Sequence, residues 1–154
     1  MTGWRIGFLA GPADLVAAMR KVQGQSTSCP GSVLQAAATA ALTGPQDCVE
    51  AMRQALRQRY EYIHAALNEI SGVECPECEG AFYAFPSFQG FIDRMDSLRD
   101  DVELAGWLVE TAGVSTVPGS AFGTPGHLRI SYAASMEHLQ EAIGRIKDAV
   151  ETAL

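Results

Sequence analysis

The stretch that most constrains this 154-residue sequence runs from Gln46 to Ile70. Its apolar residues Val49, Met52, Leu56, Ile63, Leu67 and Ile70 fall at steps of 3, 4, 7, 4 and 3, a single narrow stripe on an α-helix. Arg53, Arg57, Arg59, Glu61 and Glu69 occupy the other faces. A helix of about 25 residues is roughly 37 Å long, as long as a small domain is wide. A rod of that length with so narrow a stripe is expected to bridge two bodies, so the chain on either side of it should differ in character.

It does. Residues 1–45 read as one strand and two helices that close no core of their own. Arg5 to Ala10 is a short apolar strand ended by Gly11-Pro12. Pro12 and Asp14 suit a first helical turn, and Leu15, Val16, Met19 and Val22 make one face. Gln23 to Ser28 reads as a turn. Pro30 opens a small-residue helix that Thr43-Gly44-Pro45 stops. A strand at residue 5 without partner strands nearby looks like the last member of a larger sheet.

Residues 71–154 predict a compact α+β unit in the order β-β-α-β-β-α. Val73 to Cys75 and Ala81 to Phe85 read as strands, residues 87–100 as an exposed excursion, and Asp101 to Ala112 as a helix with Val102, Ala105, Leu108 and Val109 inward. Val114 to Val117 reads as a strand and Pro118 to Gly126 as an irregular loop. His127 to Ala133 alternates Leu128, Ile130 and Tyr132 against Arg129 and Ser131. Ser135 caps a last helix that turns Leu139, Ile143, Ile146 and Val150 inward.

Charge and motif content exclude several functions. The net charge is +1 over residues 1–70 and −8 over residues 71–154. So acidic a C-terminal half argues against nucleic acid and anionic membranes as partners. No apolar run is long enough to span a bilayer, and the N-terminal residues lack a secretory pattern. Cys29, Cys48, Cys75 and Cys78 are read as reduced, incidental thiols of a cytoplasmic protein. Cys75-Pro76-Glu77-Cys78 lacks the second ligand pair a zinc site needs, and it leads into a strand rather than a helix. No metal site is expected. His64, His127 and His138 stand at no fixed spacing from a nucleophile, and no glycine-rich phosphate loop follows a strand.

Five runs together resemble the class I/II aminotransferases, the fold type I enzymes that use pyridoxal phosphate, in their aspartate aminotransferase group. They are Met1-Thr2-Gly3-Trp4-Arg5-Ile6-Gly7, Ala40 to Asp47, Glu79-Gly80-Ala81-Phe82-Tyr83-Ala84-Phe85-Pro86, Val117-Pro118-Gly119-Ser120-Ala121-Phe122-Gly123, and Leu128-Arg129-Ile130-Ser131-Tyr132-Ala133. The resemblance implies an α/β protein. Residues 1–45 would be the end of the large cofactor-binding domain, 46–70 the interdomain helix and 71–154 the small C-terminal domain. It implies a homodimer whose cofactor is pyridoxal 5'-phosphate and whose substrates are amino acids and 2-oxo acids. It assigns Arg5 to the cofactor phosphate, Arg129 to the substrate α-carboxylate and Phe82 to the small-domain wall of the cleft. Planar guanidinium forks suit both oxyanions. Cys29 stands where the family commonly has an asparagine that reaches the neighbouring subunit's site. Gly119 to Gly126 is a segment that could move with domain closure.

The family's Schiff-base lysine would lie a few residues before the stretch matching Met1, with its other ring-binding residues further upstream. Lys21 and Lys147 are the two lysines, each on a predicted helix. No catalytic residue is therefore expected in this chain. It reads as the C-terminal part of such an enzyme, inactive alone and prone to self-associate through the bare apolar faces of residues 1–45. Two alternatives stand beside that reading. One is a β-lyase or cyclopropane-forming synthase of the same fold, which would hold the same carboxylate. The other is a non-catalytic structural or interaction domain.

Overall fold

The computed structural model describes the backbone of residues 1–154 and every side chain but that of Thr2. The chain divides into two compact units, residues 1–48 and 49–154.

The first unit holds a 3₁₀ turn, Thr2–Trp4, and the helices α1 (Ala13–Ser26) and α2 (Ser32–Thr43). The strand expected over residues 5–10 is absent: Arg5 is a turn residue and residues 6–10 form no ladder. A strand exists only by pairing its N–H and C=O groups with a neighbour, and no described strand lies in this unit. α1 also runs on through the polar stretch read as a turn, as far as Ser26. Neither helix buries a residue; Val22 and Val33 are 71% and 72% exposed.

The second unit contains nearly all of α3 (Asp47–Asn68). The predicted stripe splits along it. Ile63 and Leu67 are fully buried, whereas Val49 and Met52 are half exposed. Asn68 closes the helix against the following segment. Its Oδ1 accepts the Cys75 N–H at 2.8 Å and its Nδ2 donates to the Cys75 carbonyl at 3.0 Å. Gly72 makes the reversal between them at φ +81°; a Cβ there would stand 2.8 Å from Gly90 C and Phe91 N.

Three antiparallel strands follow, β1 (Tyr83–Ala84), β2 (Val117–Pro118) and β3 (Leu128–Ser131), in the order β1-β3-β2. Tyr83 pairs with Ser131 and Ala84 with Ile130 on one side; Val117 pairs with Arg129 and Pro118 with Leu128 on the other. The expected strand over 73–75 reduces to one bridge, Glu74 to Ser87, so the unit has three strands where four were expected.

Residues 87–100 are not an exposed excursion. They contain α4 (Gln89–Ile92), and they send Phe88, Phe91, Ile92 and Leu98 into the core. The helix α5 (Asp101–Ala112) has the predicted bounds, with Asp100 as N-cap and Gly113 at φ 66° as C-cap. Its inward face matches the expected one at Ala105 and Leu108 and departs from it at Val102 and Val109. Leu104, Ala105, Leu108 and Ala112 are buried, while Val102 and Val109 are half exposed. The Gly/Pro-rich loop also carries regular structure, a 3₁₀ turn over Gly119–Phe122. The last helix, α6 (Met136–Ala153), matches the sequence reading: Ser135 Oγ accepts the His138 N–H at 3.2 Å, and Leu139, Ile143, Ile146 and Val150 are all buried.

Cys75 is 6% exposed, and burial, with Cys78 adding to it, pushes its thiol up to about 11. It stays protonated and enclosed at neutral pH, whereas Cys29 and Cys48 are exposed. Maleimide at pH 7.5 is expected to label Cys29 and Cys48 within minutes and Cys75 only after unfolding, as read by peptide mass spectrometry. A folded value raised above the unfolded one stabilises the native state below the unfolded pKa. That contribution falls away as pH climbs from about 9 toward 11.

Candidate functional site

The alternation of β3 decides where its arginine goes. Leu128 and Ile130 face the core at 0% and 8% exposure, so Arg129 faces the other way, half-buried. Sheet register and the loop after β2 then bring two rings to it. Tyr83 on β1 lies diagonally across the pairing, and the Arg129 guanidinium carbon stands 4.5 Å from its ring centroid. Phe122 ends the 3₁₀ turn after β2, and its ring centroid is 4.6 Å from the same carbon. The cation therefore makes cation–π contacts with both rings. Among the described residues Arg129 makes no ion pair and no side-chain hydrogen bond. With neither an ion pair nor a side-chain hydrogen bond, its N–H fork is left for a ligand, and the shape of that fork matches a carboxylate.

The clamp has its own supports. Phe85 meets Phe122 edge-on at 6.3 Å and stacks on His127 at 5.2 Å. Phe82, half-buried, packs on Tyr83 at 4.5 Å, and its carbonyl accepts the Tyr132 N–H at 2.9 Å. Arg129 and Phe82 therefore share Tyr83 as a neighbour. Asp101, at the start of α5, is 1% exposed, and its carboxylate accepts the Ser120 N–H at 2.7 Å and the Gly126 N–H at 3.3 Å.

Arg5 belongs to the first unit. It follows the Thr2–Trp4 turn, is exposed, and sits at φ 51°, a left-handed conformation that costs a non-glycine residue about 1–2 kcal/mol. An exposed guanidinium fork on a turn is chemically matched to a phosphate. Ser28, next to Cys29, is left-handed as well, and Cys29 is exposed. Neither lysine belongs to the Arg129 cluster. Lys21 is exposed on α1, and Lys147 on α6 pairs with Glu69 at 3.4 Å. No group of three or more His, Cys, Asp or Glu among the described residues is placed to hold a metal ion. No described helix is long and apolar enough to cross a membrane.

Sequence reasoning picked out Arg129 and Phe82 but missed Tyr83, Phe122 and Asp101 as members of one arrangement. The available signals were slight: Tyr83 inside an aromatic strand, Phe122 as the one large side chain in a Gly/Pro loop, and Asp101 directly after a residue that already serves as helix cap.

The sequence profile of the family described as aminotransferase class I and II matches residues 1–146. The aspartate/prephenate aminotransferase of Nitrosomonas europaea is 46% identical over 151 residues, covering 95% of this chain and 38% of its own length. The aspartate aminotransferase of Rhizobium meliloti is 43% identical, covering 98% and 38%. Among solved structures, the crystal structure of the aspartate aminotransferase from Rhizobium meliloti superposes with a TM-score of 0.86 at 42% identity, over 98% of this chain and 39% of that one. The aromatic aminotransferase from Pyrococcus horikoshii OT3 does so with a TM-score of 0.85 at 35% identity, over 99% and 40%. The chain thus spans about 38% of the length of the curated relatives it matches. With that span, that identity and that fold, the chain belongs to the class I and II aminotransferase family.

Proposed function

We propose that this chain is the C-terminal part of a cytoplasmic aminotransferase that moves an amino group between an aspartate-like amino acid and a 2-oxo acid, with pyridoxal 5'-phosphate as cofactor. The observation that carries the reading is Arg129: a cation gripped by Tyr83 and Phe122 with its N–H fork left for a carboxylate. The names of the relatives supply the substrate class. Residues 1–45 form the end of a cofactor-binding domain, 46–70 the helix that joins the domains, and 71–154 the small domain.

Within this reading each residue has a limited task. Arg129 binds the α-carboxylate that amino acids and 2-oxo acids share, and it sets the orientation of the α-carbon. Phe82 supplies apolar wall and keeps water from that side of the substrate. Arg5 holds the cofactor's phosphate. When bound, the cofactor supplies an electron sink for the substrate's α-carbon. The chain's own contribution is anion binding and placement, and no residue in it is assigned to move the proton. The bare faces of α1 and α2 are covered in the complete protein by the rest of the polypeptide and by a second subunit.

Adding pyridoxal phosphate and borohydride to the purified chain is expected to fix no stoichiometric adduct on a single lysine, and aspartate with 2-oxoglutarate is expected not to turn over. The complete protein is expected to do both. Stoichiometric labelling of Lys21 or Lys147 with turnover by the chain alone would overturn the division of labour proposed here.

A further inference from the structure

α5 opens on two consecutive aspartates with separate jobs. Asp100 caps the helix, its Oδ1 accepting the N–H groups of Val102 at 3.0 Å and Glu103 at 2.9 Å. Asp101 is not needed there, and its carboxylate turns inward to the loop after β2. Among the described residues no cation pairs with it. A buried carboxylate without a counter-charge is tolerated only where strong donors replace water. Burial on its own would raise the Asp101 pKa. The donors of Ser120 and Gly126 outweigh burial, and the net direction is down.

Those two donors stand at the two ends of one loop. Between them the chain is cross-tied: the Gly123 N–H donates to the Ser120 carbonyl at 3.0 Å and the Thr124 N–H to the Gly119 carbonyl at 3.0 Å. Phe122 projects from this loop onto the guanidinium. Its side chain is 49% exposed, so little besides the Phe85 edge and Arg129 itself fixes the ring. The position of Phe122 is therefore set by the loop backbone, and Asp101 is the one buried charge that holds that backbone at both ends.

We propose that Asp101 is a positioning residue of the substrate site: by binding Ser120 and Gly126 it holds Phe122 against Arg129, so that the guanidinium fork points at the substrate carboxylate. The proposal rests on the carboxylate role given to Arg129 above.

The test uses the complete enzyme and the variants Asp101→Asn and Asp101→Glu. An asparagine offers one acceptor oxygen and sets its NH₂ against the second N–H, so one end of the loop is released. Asp101→Asn is expected to raise KM for amino acid and 2-oxo acid about tenfold or more, with kcat changed less than about twofold. Backbone amide exchange should speed up over residues 119–126 and stay slow in α5 and α6. Asp101→Glu keeps the charge and both acceptors and should recover part of the KM loss. In an Arg129→Leu background, Asp101→Asn should add less than about a twofold further loss.

If Arg129→Leu leaves every substrate unaffected, the carboxylate reading fails and takes this proposal with it. If Arg129→Leu impairs the enzyme but Asp101→Asn speeds loop exchange with KM unchanged, the positioning role alone is overturned and Asp101 is structural. Should the asparagine variant fail to fold, Asp101→Glu carries the same two readouts, and faster loop exchange with an unaltered KM again overturns the proposal.

Discussion

Arg129→Leu in the complete enzyme is expected to lower kcat/KM for amino acid and 2-oxo acid substrates together, by about 2–5 kcal/mol. The two substrate classes differ at the α-carbon and share the carboxylate, so a contact to that carboxylate must weaken both. The loss is large because the guanidinium is half-buried between Tyr83 and Phe122, where water is a poor substitute partner. The fold should survive. Arg129 makes no ion pair among the described residues, and leucine fills the space of the stem, so the folded state loses only the cation–π contacts, about 0.5–2 kcal/mol. Arg129→Lys keeps the charge but replaces a planar fork with a point donor, and an intermediate loss is expected. Steady-state kinetics on both half-reactions is the measurement. An unchanged kcat/KM for every substrate in the leucine variant would remove Arg129 from the site.

Phe91→Ala should cost about 3–5 kcal/mol of stability. Phe91 has no exposed surface, packs on Trp107 with ring centroids 5.6 Å apart, and sits beside the equally buried Phe88. Removing the ring leaves a cavity where α4 meets α5, and α4 has a single turn with which to collapse into it. Trp107 fluorescence in a urea titration reads the loss directly. Val109→Ala is the matched control: Val109 is half exposed on the same helix as Trp107 and should change stability by less than about 0.5 kcal/mol. Equal midpoints for the two variants would show that residues 87–100 contribute nothing to the core.

The contrast between these residues shows what patterning conveys. α6 was legible in full because each level agreed: a serine cap, an apolar residue every three or four positions, and one face to bury. The bounds of α5 were legible, but its face only in part. Its apolar residues cover more than half the circumference, so several stripes were available, and packing kept Ala105 and Leu108 but took Leu104 and Ala112 in place of Val102 and Val109. Residues 87–100 carried no period at all. Phe88, Phe91, Ile92 and Leu98 are anchors of an irregular segment, and their burial is set by the space beside Gly72 and Trp107 rather than by a repeat.

Residues 5–10 show the reverse failure. They have strand composition and no strand, because a ladder is a property of two segments and composition belongs to one.

The site divides along the same line. Alternation along Leu128-Arg129-Ile130 alone determined that the arginine leaves the core, since successive side chains of a strand point to opposite faces. The resemblance of its neighbourhood supplied the expected ligand. Which rings grip Arg129 was decided only in three dimensions. Tyr83 reaches it through a pairing register set 46 or more residues away in sequence, and Phe122 reaches it through a loop tied at both ends to Asp101. Periodicity reports the face on which a residue lies; which distant residues meet there depends on chain reversals whose energies are spread over the whole core.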